Sequence, residues 1–343
     1  MRKARFIRPG GVYHVTSRVI EKKFIFDDAE KERMRVLLFQ LASFSGVRIL
    51  THTIMSNHLH LLVEVPERPS NKVLDERELV RRLSFLPKSP TAAYSPAELF
   101  SRKLAKFHQQ GNKTAIQDLC EGVRERTFDL SRFLQEYKQR ITQDYNQRHD
   151  RKGTLWEDRF HSTLVEPNSH ALLQVAGYVD LNPLRAGLCR DPLDYRFCGY
   201  AAAVAGHAEA LAGLKRLFEL VKLWRHLTGD EGLAAYRMLL FGESAMKSWS
   251  KKENRACLSD EDIKKVLAAG GEIDLHRKLS CKIRFFSEGV ALGSKIFIQN
   301  LSQQYQKQNH LKQRPDPVPG QDIGQDLVPN LDLEELWTLN ALR

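Results

Sequence analysis

SNHLHLLVEVP, residues Ser56 to Pro66, is an apolar run that opens on a Ser-Asn turn and closes on a proline, the pattern of a β-strand. Side chains two apart on a strand share a face, so His58 and His60 project together while Leu59, Leu61 and Val63 pack the other way. Upstream, across the Ser56-Asn57 turn, Val47 to Met55 forms a second strand. Gly11 to Ile20 (GVYHVTSRVI), rich in β-branched and aromatic residues behind a Pro-Gly turn, forms a third. Between them Asp27 or Asp28 caps a helix from about Ala29 to Ser43, with Met34, Leu37, Leu38 and Leu41 on one stripe. This β-α-β-β opening predicts a small α/β or α+β sheet domain.

Residues 67–126 break the rhythm with charged helical pieces and Ser-Pro and Gly-Asn punctuation, and read as an insertion beside the sheet. A helix follows from about Asp129 to Arg148, with Leu130, Phe133, Leu134, Tyr137 and Ile141 inward, then a short strand, Arg159 to Val165. Asn168 or Ser169 caps a further helix through Ala171, Leu172, Val175, Ala176 and Val179 to Leu181, which Asn182-Pro183 is expected to stop. After about Tyr200 the chain reads as mostly helical to residue 310. There Ser259 to Asp262 (SDED) resembles a capping box for a helix through Val266, and a helix-turn-helix is one reading of the region.

Composition narrows the function classes. The 343 residues are 42% hydrophobic and carry 17 Phe, 9 Tyr and 4 Trp, too much burial potential for a disordered chain. No apolar run reaches the ~18 residues of a membrane span, and the basic start MRKARFIRPGG has no apolar leader segment behind it. The five cysteines (120, 189, 198, 257, 281) contain no CxxC pair and read as reduced thiols of a cytoplasmic protein. Fifty-three Lys and Arg against 42 Asp and Glu give +11, which calls for an anionic partner, nucleic acid or a membrane surface. Pro315 to Arg343 runs against this balance with six acids and one base, leaving +16 on the residues before it. That acidic stretch of 311–343 holds prolines 315, 317, 319 and 329. It is either a solvated linker or a tail that competes with nucleic acid for the basic body.

Two clusters carry candidate chemistry. His58 and His60 are either half-buried histidines on a solvated face or two ligands of a divalent cation. Tyr178 and Asn182 lie four apart on one helix face, offering a phenolic oxygen that can attack phosphorus and a carboxamide oxygen that can bind metal. The other reading is a core tyrosine and a helix-capping asparagine.

In order along the chain, GGVYHVTSRV, MSNHLHLLVEVP, YNQRHDRKGTLWEDRFHSTLVE and YVDLNPLRAGL together resemble the single-tyrosine HUH transposases, on the branch of IS200-like proteins that holds the REP-associated tyrosine transposases. The resemblance covers about residues 8–66 and 128–200, and RFFSEGVALGSKIF (284–297) is similar to a C-terminal segment of longer relatives. It implies an α+β domain over residues 1–200, a ferredoxin- or RRM-like HUH fold with an antiparallel sheet flanked by helices, followed by a helical region, 201–310, that could bind DNA. It further implies that His58, His60 and Asn182 hold Mg²⁺ or Mn²⁺ and that Tyr178 is the nucleophile. The activity implied is nicking and rejoining of single-stranded or hairpin DNA through a 5′-phosphotyrosine, by a nucleoid-associated bacterial homodimer with paired sheets.

A tyrosine ordinarily titrates near pH 10, so a metal or a base must assist it. Tyr137 and Tyr145 are the competing nucleophiles, and His14 and His52 either face the site or pack. The loop Gln147 to Lys152 and its surroundings put Arg148, Arg151, Lys152 and Arg159 in position for DNA-backbone contacts, with Trp156 either stacking on a base or anchoring the core. Arg185 either meets a phosphate or neutralises a helix C-terminus. The competing functions are a DNA-binding protein that has lost catalysis and a hydrolase of small phosphoesters, which would have no use for the +16 body.

Overall fold

The computed structural model describes residues 8–89, 91–167, 170–221, 226, 229–241, 289–309, 317–319 and 337–339. The opening follows expectation: β1 (Gly11–Arg18), α1 (Asp28–Ser45), β2 (Arg48–Ile54) and β3 (His58–Val65). Asp27 caps α1 by accepting the Glu30 backbone N–H at 2.8 Å, and α1 ends on Gly46, at φ 78°, where glycine pays no Cβ penalty. The insertion folds into α2 (Glu76–Leu83), α3 (Pro96–Gln109) and α4 (Lys113–Arg124), each opened by a capping side chain from Asp75, Ser95 or Asn112. Then come α5 (Leu130–Arg148), with its whole expected inner face buried, and β4 (His161–Val165).

These strands lie in the order β2-β3-β1-β4, all antiparallel, which with α1 and α5 is the ferredoxin-like β-α-β-β-α-β arrangement. The register sorts the two faces. Tyr13 with Val63, Val15 with Leu61, and His52 with Leu61 share one face, and His52 there meets Phe39 of α1. His14 with Leu62, Thr16 with His60, and Thr53 with His60 share the other, which is covered by α6 (His170–Asp180). The separation of His58 and His60 from Leu59, Leu61 and Val63 is therefore as the sequence implies.

Three boundaries differ from expectation. Strand β4 starts at His161, two residues after Arg159. The helix after it ends at Asp180, just ahead of Asn182-Pro183 as expected, but a second helix follows at once and carries Asn182, so Tyr178 and Asn182 lie on successive helices. Leu181 makes the joint (φ −84°, ψ −1°) and α7 (Asn182–Arg185) follows with Pro183 in its first turn, where a missing N–H costs no hydrogen bond. Beyond Tyr200, α8 (Gly199–Val204), α9 (Ala208–Leu220) and α10 (Gly229–Phe241) are helical as expected. The chain then departs from expectation. Strand β5 (Ala291–Gly293) pairs parallel with β4, α11 (Lys295–Asn309) follows, and β6 (Pro317–Pro319) and β7 (Trp337–Leu339) extend the sheet to β2-β3-β1-β4-β5-β7-β6. Three-residue strands have no readable periodicity. Partners far along the chain make them, as where Leu164 N–H donates to Val290 O at 3.0 Å and Thr163 Oγ1 to Gly289 O at 2.7 Å.

The Asn168/Ser169 cap and the SDED capping box lie outside the described residues, as do Cys257 and Cys281. Cys120, Cys189 and Cys198 are free thiols, as expected. Among the described residues no helix is long and apolar enough to cross a membrane. The β2 edge is partly covered by later chain. Ile54 N–H donates to Phe197 O at 3.0 Å and Thr53 bridges Cys198. Alongside, α9 lies so close that a Cβ on Gly213 would run into the Ile49 carbonyl.

Candidate active site

The helix that presents Tyr178 is seated by apolar and polar bonds together. Ala171, Leu172, Val175, Ala176 and Val179 are fully buried. From β2, Thr53 Oγ1 donates to Val179 O and Thr51 Oγ1 to Asp180 Oδ1, each at 2.7 Å. Tyr236 of α10 donates to Asp180 Oδ2 at 2.6 Å, and Tyr200 N–H to Oδ1 at 3.1 Å. Burial raises the Asp180 pKa to about 6 in spite of these donors. Held so, Tyr178 stands edge-on to His14 and His60, with ring centroids 5.6 Å from each. His58 and His60 are 5.1 Å apart, Asn182 hydrogen-bonds His58, and the Arg185 guanidinium lies 4.7 Å over the Tyr178 ring.

Burial lowers the His58 pKa to about 4, with the Arg18 charge adding to it and the Asn182 hydrogen bond opposing it. His60 falls well below its ordinary value, through burial first and then the charges of His58, His14, Arg185 and Arg18. Both imidazoles are therefore neutral at pH 7, the form that binds metal. Two imidazole nitrogens and one carboxamide oxygen on one side fit a divalent ion that accepts both donor types. Among the described residues no group of three or more His, Cys, Asp or Glu forms a cluster that could hold a metal, so the remaining ligands would be oxygens from outside the protein. Arg185 Nε and Nη1 are buried with no hydrogen-bond partner among the described residues, a charged donor pair suited to a phosphate.

The structure thus joins His58, His60, Tyr178, Asn182 and Arg185, which the sequence spreads over 128 positions. It does not bring Arg148 to them. That side chain pairs through both Nη atoms with the buried Glu30 carboxylate and with Asp144. Arg151, Lys152 and Arg159 are exposed on the loop after α5. This loop lies at the same end of the sheet as His58, because Val19 bridges Trp156 and Glu157 N–H donates to the Arg18 carbonyl oxygen.

Trp156 takes the anchor role: it is buried, and its Nε1 donates to Lys138 O at 3.2 Å and Thr142 Oγ1 at 3.1 Å. The competing tyrosines are also placed. Tyr137 is buried with its hydroxyl on Met34 O, and Tyr145 stacks on His149 at 4.1 Å. His52 faces α1, away from the site, whereas His14 faces it. Two contributors were missed, Asn57 and Asp180. An acid inside the apolar helix AlaGlyTyrValAspLeu was the signal for Asp180, and nothing in the sequence marks Asn57 beyond its turn.

The family model described as "Transposase IS200 like" matches residues 10–74, from β1 past the strand of His58 and His60, and bears out the resemblance over that span. Two solved structures are similar at a low level. One is the REP-associated tyrosine transposase bound to a REP hairpin, at 13% identity and TM-score 0.39, covering 67% of this chain and 92% of that one. The other is a candidate transposase from Deinococcus radiodurans R1, at 14% identity and TM-score 0.23, covering 52% of this chain and 96% of that one. No curated protein matches the chain.

Proposed function

We propose that this protein is a transposase-type enzyme that cleaves and rejoins single-stranded or hairpin DNA through Tyr178. The observation that carries the reading is the convergence on one sheet face of a tyrosine, two neutral histidines, an asparagine and an arginine whose Nε and Nη1 have no hydrogen-bond partner among the described residues. The Tyr178 phenolic oxygen attacks the scissile phosphorus. A bond forms from phosphorus to that oxygen while the bond to the 3′ oxygen breaks, the phenolic proton leaves, and the 3′ oxygen departs as a hydroxyl. The 5′ end remains as a phosphotyrosine, and attack by a new 3′-hydroxyl reverses the step. Arg185 lies against the attacking ring and would hold the phosphate oxygens with the donors it has unspent.

His58, His60 and Asn182 would hold Mg²⁺ or Mn²⁺, which when bound supplies positive charge against the developing phosphorane. The net +11 charge suits a polyanion, and the exposed Arg151, Lys152 and Arg159 would steady the DNA backbone. The test is incubation with pooled single-stranded and hairpin DNA and Mn²⁺, comparing wild type with Tyr178→Phe. A denaturation-resistant protein–DNA adduct in wild type alone is expected. Equal cleavage by both would move the nucleophile elsewhere, and binding without cleavage by either would favour a DNA-binding protein that has lost catalysis.

A further inference from the structure

An imidazole presents a lone pair on one ring nitrogen only when the other holds the proton, so the neighbours of each ring decide what it can bind. For His58 the deciding neighbour is Asn57. The Asn57 Nδ2 group donates to the Lys22 carbonyl oxygen at 2.9 Å, and since that oxygen can only accept, the orientation of the amide is fixed. Its Oδ1 then lies 2.6 Å from His58 Nδ1. Oδ1 also can only accept, so His58 carries its proton on Nδ1 and keeps its lone pair on Nε2.

For His60 the neighbour at Nδ1 is His14, one strand away on β1, whose Nε2 can accept a proton or donate one. The two rings stack at 5.3 Å with an interplanar angle of 9°, and His14 Nε2 stands 3.1 Å from His60 Nδ1. Both rings are buried within the sheet face. His60 therefore has Nδ1 engaged away from the site, as His58 does, and only Nε2 remains for a ligand. The same nitrogen is occupied on both rings, by neighbours from two different segments of chain.

We propose that Asn57 and His14 are positioning residues that hold His58 and His60 as Nδ1–H tautomers, so that two Nε2 lone pairs are presented together to a divalent cation. This rests on the metal reading above and adds to it the residues that orient the ligands. His60 Nδ1–H donates to His14 Nε2, and His14 keeps its own proton on Nδ1. Loss of either neighbour frees its histidine to take the opposite tautomer or to rotate, and the paired lone pairs are lost.

Two readouts test this on the full-length chain. Long-range ¹H–¹⁵N correlation on metal-free protein labelled at histidine reports the tautomer of each ring, and calorimetry reports Mn²⁺ affinity. Nδ1–H signatures for His58 and His60 are expected in wild type. His14→Phe and Asn57→Leu should bind Mn²⁺ about 10- to 100-fold more weakly. His14→Gln and Asn57→Asp, which keep an accepting oxygen, should recover most of that affinity. A wild-type Nε2–H signature on either ring overturns the proposal, even where a variant fails to fold. So does a folded His14→Phe or Asn57→Leu protein that binds Mn²⁺ as tightly as wild type. Wild type that binds no Mn²⁺ sinks the metal reading, and the spectra then decide the tautomer assignment by themselves.

Discussion

His52 offers a quantitative test of how the sheet is packed. It lies in the middle of β2, only 1% exposed and edge-on to Phe39 at 5.4 Å, and among the described residues neither ring nitrogen has a hydrogen-bond partner. Burial, with the charges of Arg35 and His207 added, pushes its pKa from 6.5 down to about 3. The unfolded chain recovers the ordinary value. Between pH 6.5 and pH 3 the unfolded state therefore holds a proton that the native state refuses, and stability falls as pH drops through that window. At about 1.36 kcal/mol per unit the loss is about 2 kcal/mol at pH 5 and approaches about 5 kcal/mol below pH 3. His52→Leu removes this loss and also the two unsatisfied nitrogens. Urea unfolding of both proteins at pH 7.5 and pH 5 isolates the titration, because any packing difference between His and Leu is common to both conditions. The variant should gain about 2 kcal/mol on wild type between the two pH values. An unchanged difference between the proteins would refute the reasoning, since His52 would then protonate freely in the folded state.

Arg148→Gln leaves the buried Glu30 carboxylate with His149 as its remaining partner, and should cost about 2 kcal/mol, less than a fully buried pair because the arginine is partly exposed; thermal melting checks it. Gly213→Ala drives a Cβ into the Ile49 carbonyl and to 2.9 Å from the Leu50 carbonyl oxygen, so α9 must lift from β2 at a cost of about 1–3 kcal/mol in urea unfolding. A chain ending at residue 200 keeps Phe197 and Cys198 on the end of β2 but loses α9 from beside that strand and β5 from the β4 edge, and light scattering should find it aggregated where the full chain is not.

What the sequence disclosed follows from how local each signal is. His58 and His60 could be placed on one face because strand alternation is a property of the strand itself, and α5 was readable because Leu130, Phe133, Leu134, Tyr137 and Ile141 repeat at helical spacing. Pro183 is legible as the end of α6 but not as the first turn of α7, since a proline suits both positions and only the joint at Leu181 shows that one helix follows the other. Arg148 looked like a DNA contact because it sits beside Arg151 and Lys152. Its carboxylate partner Glu30 is 118 residues away, and no local pattern announces such a pair. The side His14 takes is hidden in the sequence for the same reason: its contact with His60 exists only once β1 and β3 are in register.

The face of the sheet under α6 carries His14, Thr16, Thr51, Thr53, His60 and Thr163 where an ordinary packed sheet carries aliphatic chains. Burying so many polar groups is costly unless each is bonded. Three of the threonines are bonded in ways that fix neighbouring elements: Thr53 and Thr51 hold the end of α6, and Thr163 holds the start of β5 through the Gly289 carbonyl. The cluster of rings is thus surrounded by hydrogen bonds whose partners run from β2 to residue 289, with Tyr236 closing the network on Asp180. The family match to residues 10–74 contains both histidines but neither Tyr178 nor Asn182. Whether the protein cleaves DNA therefore turns on the second half of the chain, where the position of one phenol against two imidazoles is set by threonines on the first half and a tyrosine far beyond it.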